Sequence, residues 1–201
     1  NRNFNGTLAA RLQGEPLPFE QIKRVITQVG DALDCAHAQG LVHRDVKPSN
    51  ILLDERGNCL LADFGIAKIL EGAEPLTVTG GLLGTPSYMS PEQGMGQAID
   101  GRSDVYALGV ILYEALAGQP PFVAVSPSEL IVAILHGKVT PLRTYRPDLS
   151  DEVLTVVPLG IRSEGDWIMC AADDGHALAV LGRIDGRTLP GGSRANHHHI
   201  K

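Results

Sequence analysis

The sequence predicts an α+β fold that is mainly α-helical, and three features of the chain predict it. Residues 19–39 place Ile22, Val25, Ile26, Val29, Leu33 and Ala36 on one face at helical spacing. Residues 103–117 are apolar nearly all round, with Val105, Leu108, Val110, Ile111, Leu112, Ala115 and Leu116, which is the composition of a buried helix. Between these segments, Ile51-Leu52-Leu53 and Cys59-Leu60-Leu61 flank the turn-forming run Asp54-Glu55-Arg56-Gly57-Asn58 and read as a small hairpin.

The remaining elements follow in chain order. Thr7 to Leu12, between Gly6 and Gly14, reads as a shorter helix. Pro18 starts the 19–39 helix and Gly40 stops it; Gly30 inside it costs about 1 kcal/mol relative to alanine, tolerable beside so long an apolar face. Leu41-Val42 leads into a polar stretch at 43–50, and the hairpin ends by presenting Asp63. Residues 71–101 are rich in Gly, Pro, Ser and Thr and read as an extended loop, a length that usually signals function. Gly118 and Pro120-Pro121 end the buried helix. Ser126-Pro127-Ser128-Glu129 is a capping box with proline at the first helical position, and the helix runs through Leu130 and His136 to Gly137. Asp148 to Val157 predicts one more helix, and at Pro158 the pattern stops. In the tail, Asp173-Asp174-Gly175 reads as a turn between two short strands.

Composition narrows the possibilities. The 201 residues are 43% hydrophobic and 20% charged, the profile of one domain, or one lobe plus an appendage, able to bury a core. A net charge of -6 gives no general reason to expect a nucleic-acid binder or a polybasic membrane anchor. Cys35, Cys59 and Cys170 are widely spaced, which argues against a disulfide framework; Cys35 and Cys59 fall in apolar stretches and read as small core residues. The longest apolar run, Val105 to Leu116, is broken by Gly109 and Glu114, so no membrane segment is expected in it. The chain begins at Asn1 in mid-pattern and reads as a piece of something longer. His136 reads as a residue favoured by the end of its helix, and His197-His198-His199 as incidental.

The chemistry concentrates in His43-Arg44-Asp45-Val46-Lys47-Pro48-Ser49-Asn50 and in Asp63-Phe64-Gly65. A carboxylate, a lysine and an amide lie within six residues, and a second carboxylate follows on a glycine-hinged turn. Phosphoryl transfer from a magnesium nucleotide needs such a set: a group to orient a hydroxyl, a cation for the migrating phosphate, and oxygen ligands for a hard metal ion.

These motifs resemble the signature set of protein kinases. The 43–50 stretch resembles the catalytic loop, and Asp63-Phe64-Gly65 the metal-binding turn. Gly84-Thr85-Pro86-Ser87-Tyr88-Met89-Ser90-Pro91-Glu92-Gln93 resembles the end of an activation segment, with Ser90 where alanine is commoner. Asp104-Val105-Tyr106-Ala107-Leu108-Gly109 resembles the start of the central buried helix of the large lobe. The wording is closest to bacterial eukaryotic-like (Hanks-type) serine/threonine kinases, over residues 1–157.

The resemblance implies roles for these residues. Asp45 would orient the substrate hydroxyl, and Lys47 would stabilise charge at the γ-phosphate of ATP. Asn50 and Asp63 would ligate Mg²⁺. Leu52 would pack below the adenine, and His43 and Phe64 would stack in an internal column. Thr85, beside Asp45 and Lys47, would favour serine or threonine acceptors. Arg44 would receive a phosphate carried by Thr77 or Thr79. Gly65, Glu92 and Asp104 would be structural, Glu92 through an arginine late in the lobe. The implied partners are protein substrates with serine or threonine, the kinase itself in trans among them. The implied location is the cytoplasm, in a protein type that often carries a membrane helix and an outer sensor further on.

Three departures accompany the match. The sequence shows no Gly-rich phosphate loop, strand lysine or helix glutamate, so the expectation is a large (C-terminal) lobe lacking the small lobe and with little or no activity alone. Residues 158–201 do not continue the family pattern and read as a frameshifted or unrelated tail; Glu92 then lacks its arginine, and a buried unpaired carboxylate is costly. The third is Gly30, described above. Two alternatives stay open: a kinase-like binding module without catalysis, and a small-molecule phosphotransferase, the second disfavoured by the peptide-seating segment 84–93.

Overall fold

Helix α2 carries the first half of the core because its apolar residues recur every three or four positions. The computed structural model describes residues 4–64, 86–136, 139–149, 171–173 and 176–178. Within it, α2 spans Phe19–His37 and buries Ile22, Val25, Ile26, Val29, Leu33 and Ala36, the face that the periodicity predicts. The helix closes on Gly40 at φ 74°. There the Gly40 N–H donates to the His37 carbonyl and the Leu41 N–H to the Ala36 carbonyl, so the left-handed residue satisfies two end carbonyls at once. Cys35 lies on the opposite face and is exposed, which corrects its expected place in the core. Its neighbour Ala36 is buried, because successive residues of a helix point about 100° apart.

The chain opens with strand β1 (Phe4–Thr7) and a single helical turn, α1 (Leu8–Arg11). The short helix expected at 7–12 is therefore one turn long, capped by the Thr7 hydroxyl, which accepts from the Ala10 N–H at 3.3 Å. The strand before it carries no alternation from which it could be read. β1 pairs antiparallel with β2 (Ile51–Asp54), and β2 pairs antiparallel with β3 (Cys59–Leu61). The hairpin register sets Ile51 opposite Leu61, Leu52 opposite Leu60 and Leu53 opposite Cys59. Asp54 builds its turn, with Oδ1 accepting the N–H groups of Arg56 (2.9 Å) and Asn58 (2.8 Å). α2 holds the hairpin at two points: the Arg24 guanidinium donates to the Arg56 carbonyl at 2.8 Å, and Gln28 Oε1 accepts the Cys59 N–H at 2.7 Å.

After a 3₁₀ turn at Pro86–Tyr88 come helix α3 (Pro91–Gly94) and helix α4 (Gly101–Ala117). The expected loop over 71–101 thus contains two short turns of helix at its end. α4 starts two residues earlier than its apolar run suggests, because Asp100 caps it by accepting the Arg102 N–H at 2.9 Å. Leu108, Val110, Ile111, Leu116 and Tyr113 are fully buried, so α4 is the axis against which α2 packs. Each such side chain contributes about 1.5–3 kcal/mol of burial. A Cβ at Gly101 would lie 2.8 Å from the His37 ring, so the close approach of the end of α2 to the start of α4 requires glycine there.

Helix α5 (Pro127–His136) begins as its capping box predicts. The Glu129 N–H donates to Ser126 Oγ at 3.2 Å, while the Glu129 carboxylate accepts from Val125, one residue before the cap. A 3₁₀ turn follows at Leu142–Thr144, and Arg146 forks onto both oxygens of Asp148 at 2.8 Å. Of the helix expected over 148–157, residues 150–157 lie outside the described residues. Strands β4 (Ala171–Asp173) and β5 (His176–Leu178) pair antiparallel, so Asp173, read from the sequence as part of a 173–175 turn, ends a strand; 174–175 lie outside the described residues.

Candidate active site

The polar stretch 43–50 spans the gap between α2 and β2 above the start of α4, and its backbone is held from below. Asp104, in the first turn of α4, is 1% exposed. Its Oδ2 accepts the His43 N–H at 2.8 Å and its Oδ1 the Arg44 N–H at 2.7 Å. His37 Nε2 sits 2.8 Å from the same Oδ2. A buried carboxylate is tolerated only with such a set of donors. With it, Arg44 is held at φ 66°, a left-handed conformation costing a non-glycine residue roughly 1–2 kcal/mol.

His43 is fully buried, and its surroundings determine its proton. The Ala62 carbonyl, 3.0 Å from Nε2, can only accept, so Nε2 carries the hydrogen. The Asp45 N–H, 3.3 Å from Nδ1, can only donate, so Nδ1 keeps its lone pair. Burial lowers the pKa of the ring, against the upward pull of the Ala62 hydrogen bond and of Asp104, Asp45 and Asp63. The neutral ring packs on Phe64 with centroids 4.6 Å apart, the stack that the sequence reading expects. This contact and the Ala62 N–H bond to the Asn50 carbonyl (2.8 Å) bring the 62–64 turn back beside the 43–50 loop.

Two loop side chains meet at the carboxylate of a third, Asp45. Lys47 Nζ lies 2.7 Å from Asp45 Oδ2. Asn50 Nδ2 donates to the same oxygen at 3.2 Å and to the Asp45 carbonyl at 2.8 Å. Both partners of that nitrogen are acceptors, so the amide orientation is decided and Oδ1 is the end left to accept or ligate. Asn50 is buried and sits in the Pro48–Asn50 turn, whereas Asp63 is exposed at φ 57°, an aspartate-tolerant left-handed position. A neutral amide oxygen and one carboxylate fit Mg²⁺, which takes few protein ligands and completes its shell with phosphates and water. Among the described residues there is no cluster of three or more His, Cys, Asp or Glu that could cage a metal unaided. Leu52 is half-buried on β2.

Residues 3–157 match the protein kinase domain family. The chain belongs to that family. This protein kinase chain is 51% identical to serine/threonine-protein kinase Pkn1 of Myxococcus xanthus over 113 residues, 54% of the chain and 16% of that protein. It is 41% identical to serine/threonine-protein kinase PknB of Mycobacterium leprae over 127 residues, 63% of the chain and 20% of that protein. With serine/threonine-protein kinase PknH of Mycobacterium bovis it shares 37% over 190 residues, 88% of the chain and 32% of that protein. The kinase chain therefore spans at most about a third of the length of these curated relatives. All three are bacterial, in agreement with the eukaryotic-like bacterial type that the motif wording implies.

Of the residues singled out from sequence, this kinase chain brings together His43, Arg44, Asp45, Lys47, Asn50, Phe64 and Asp104. Gly65, Thr77, Thr79 and Thr85 lie outside the described residues. Glu92 departs from expectation. It is half-buried rather than sealed, and the Ser103 hydroxyl donates to it. Ser90, buried where alanine is commoner, donates to Ser103 Oγ at 3.1 Å, so the two serines and Glu92 form a hydroxyl chain. Sequence reasoning missed His37, which nothing local distinguishes from a helix-end histidine. It also missed the Tyr88 hydroxyl donating to Glu114 at 2.6 Å. Burial raises both pKa values; Glu114 raises that of Tyr88 further, whereas the tyrosine hydroxyl pulls that of Glu114 back. An acid inside an apolar helix was the available signal, since such a group needs a donor. Cys59, half-buried at the start of β3, has its thiol pKa pushed up to about 11 by desolvation.

No helix among the described residues is long and apolar enough to cross a membrane.

Proposed function

We propose that this chain is the large-lobe half of an ATP-dependent serine/threonine protein kinase, and that alone it transfers little or no phosphate. The observation that carries the reading is the convergence of Lys47 and Asn50 on one oxygen of Asp45, above a backbone clamped by Asp104. In the full-length protein Asp45 orients the acceptor hydroxyl. Because the transition state is loose, alignment matters more than deprotonation. Lys47 would turn from its ion pair to the transferring phosphoryl group, and Asn50 Oδ1 and Asp63 would hold Mg²⁺, which would supply charge neutralisation at the phosphates. Leu52 underlies the adenine and Thr85 selects serine or threonine. Arg44 receives a phosphate placed on Thr77 or Thr79 by another copy of the kinase.

The large-lobe reading is supported by the presence of loop, metal turn and central helix without a Gly-rich loop, strand lysine or helix glutamate in the sequence. The test is phosphotransfer to a protein substrate with Mg-ATP, measured on this chain and on a version with a small lobe restored. Activity should be seen only in the second. Robust turnover by the chain alone defeats the half-domain reading. Failure of both, with ATP still bound by the restored protein, favours a silent binding module. Replacing both Thr77 and Thr79 by alanine in the full-length kinase should lower its activity; unchanged activity removes them from regulation.

A further inference from the structure

The peptide unit just before Asp45 is gripped from two sides. Its N–H belongs to Asp45 and donates to His43 Nδ1 at 3.3 Å. Its carbonyl belongs to Arg44 and accepts from Gln93 Nε2 at 2.9 Å, across 49 residues of sequence. A peptide is planar, so one hydrogen bond at its oxygen and one at its nitrogen prevent it from turning about the line joining its two Cα atoms. The plane sets the direction of the N–Cα bond from which the Asp45 side chain branches, so holding it holds the base of that side chain. The same grip holds ψ of Arg44, the residue whose φ is 66°.

We propose that Gln93 is a positioning residue for Asp45. The proposal rests on the reading of Asp45 as the group that orients the acceptor hydroxyl. Gln93 suits the task because both ends of its amide are committed. Its Oε1 accepts the Ser90 N–H at 2.9 Å within the capping box of α3, and its Nε2 is thereby aimed at the Arg44 carbonyl. Turning the amide over would set oxygen against oxygen at Arg44 and N–H against N–H at Ser90, so the partners allow one orientation. Helix α3 is anchored in turn: Ser90 Oγ accepts the Gln93 N–H at 3.4 Å and donates to Ser103 in α4. The end of the segment that resembles an activation segment is thus bonded to the loop that carries Asp45, through one side chain.

Gln93→Glu isolates this role. A glutamate keeps the capping box, because a carboxylate still accepts the Ser90 N–H, but it cannot donate to Arg44 when ionised. The measurement is amide hydrogen exchange at Asp45, resolved by NMR on the 201-residue chain, with Val29 in the core of α2 as internal reference. Exchange at Asp45 should quicken by about fivefold or more in Gln93→Glu, as expected for loss of one hydrogen bond, with Val29 unchanged. Gln93→Met should do the same. Ser90→Ala, which leaves the Ser90 N–H bond to Gln93 in place, should change it by less than about twofold. The proposal is overturned if Gln93→Glu leaves Asp45 within about twofold of the unsubstituted chain, if Val29 quickens equally, or if Ser90→Ala matches Gln93→Glu. Exchange needs no turnover, so this result stands whether or not Asp45 proves to handle a hydroxyl.

Discussion

Asp104 and Asp45 carry the same carboxylate on two levels of one loop. Asp104 lies in the floor, its side chain 1% exposed, and its oxygens meet two backbone N–H groups and the His37 ring. Asp45 lies on the rim, its side chain 24% exposed, and meets the ammonium of Lys47 and the amide of Asn50. The floor carboxylate is committed to backbone donors that cannot move without unfolding the loop. The partners on the rim are side chains on a lysine stem and a turn, which can change places without unfolding the loop. A carboxylate that holds structure is thus distinguished from one proposed to handle chemistry by whether its donors can be exchanged.

The largest effect that should follow is on catalysis alone. In a version bearing a small lobe, Asp45→Asn should lower phosphotransfer by about 10²–10⁴-fold while leaving the urea midpoint nearly in place. A large fall in stability would mean that the rim is scaffold after all. Asp104→Ala should do the reverse. It orphans two backbone N–H groups and loosens His37, and unfolding by urea should show a loss of about 3–5 kcal/mol. A loss under about 1 kcal/mol would break the contrast between floor and rim.

A smaller effect separates the levels by pH. Burial lowers the His43 pKa below its ordinary 6.5, so the unfolded chain binds the proton first as pH falls. Stability should therefore be full above pH 6.5 and decline below it, by no more than about 1.4 kcal/mol per pH unit for this one proton. His43→Gln should remove that component of the slope when the two stability profiles are subtracted; identical slopes would show that His43 is not held neutral. Smallest should be Ser90→Ala, which deletes the cap of α3 and its link to Ser103 and should cost about 0.5–2 kcal/mol in the same urea assay.

Legibility from the chain followed the range of the interaction. The buried face of α2, the Asp54–Asn58 turn and the start of α5 depend on residues within four or five positions of one another, and periodicity or turn chemistry reports them directly. Cys35 was misplaced because its apolar neighbours were counted without resolving which face of the helix it takes. The capping box at Ser90–Gln93 was not read from the sequence although it has the Ser-x-x-Gln pattern, and the use of the glutamine's other end has no local pattern at all. His37 reaches Asp104 across 67 residues, and no local pattern marks either as the other's partner.

By itself the chain determined which chemical groups are available and on which element each is carried: the Asp45, Lys47 and Asn50 loop, the Asp63-Phe64 turn, and the apolar helices on which they rest. Local sterics and the separation of apolar from polar side chains suffice for that. Tertiary packing decided that Lys47 and Asn50 share one oxygen of Asp45, that His43 is the neutral Nε2–H form, and that Gln93 grips the peptide before Asp45. Those outcomes depend on donors and acceptors delivered from elements far apart in sequence. Only burial against α4 makes each unmet hydrogen bond costly enough to select a single arrangement.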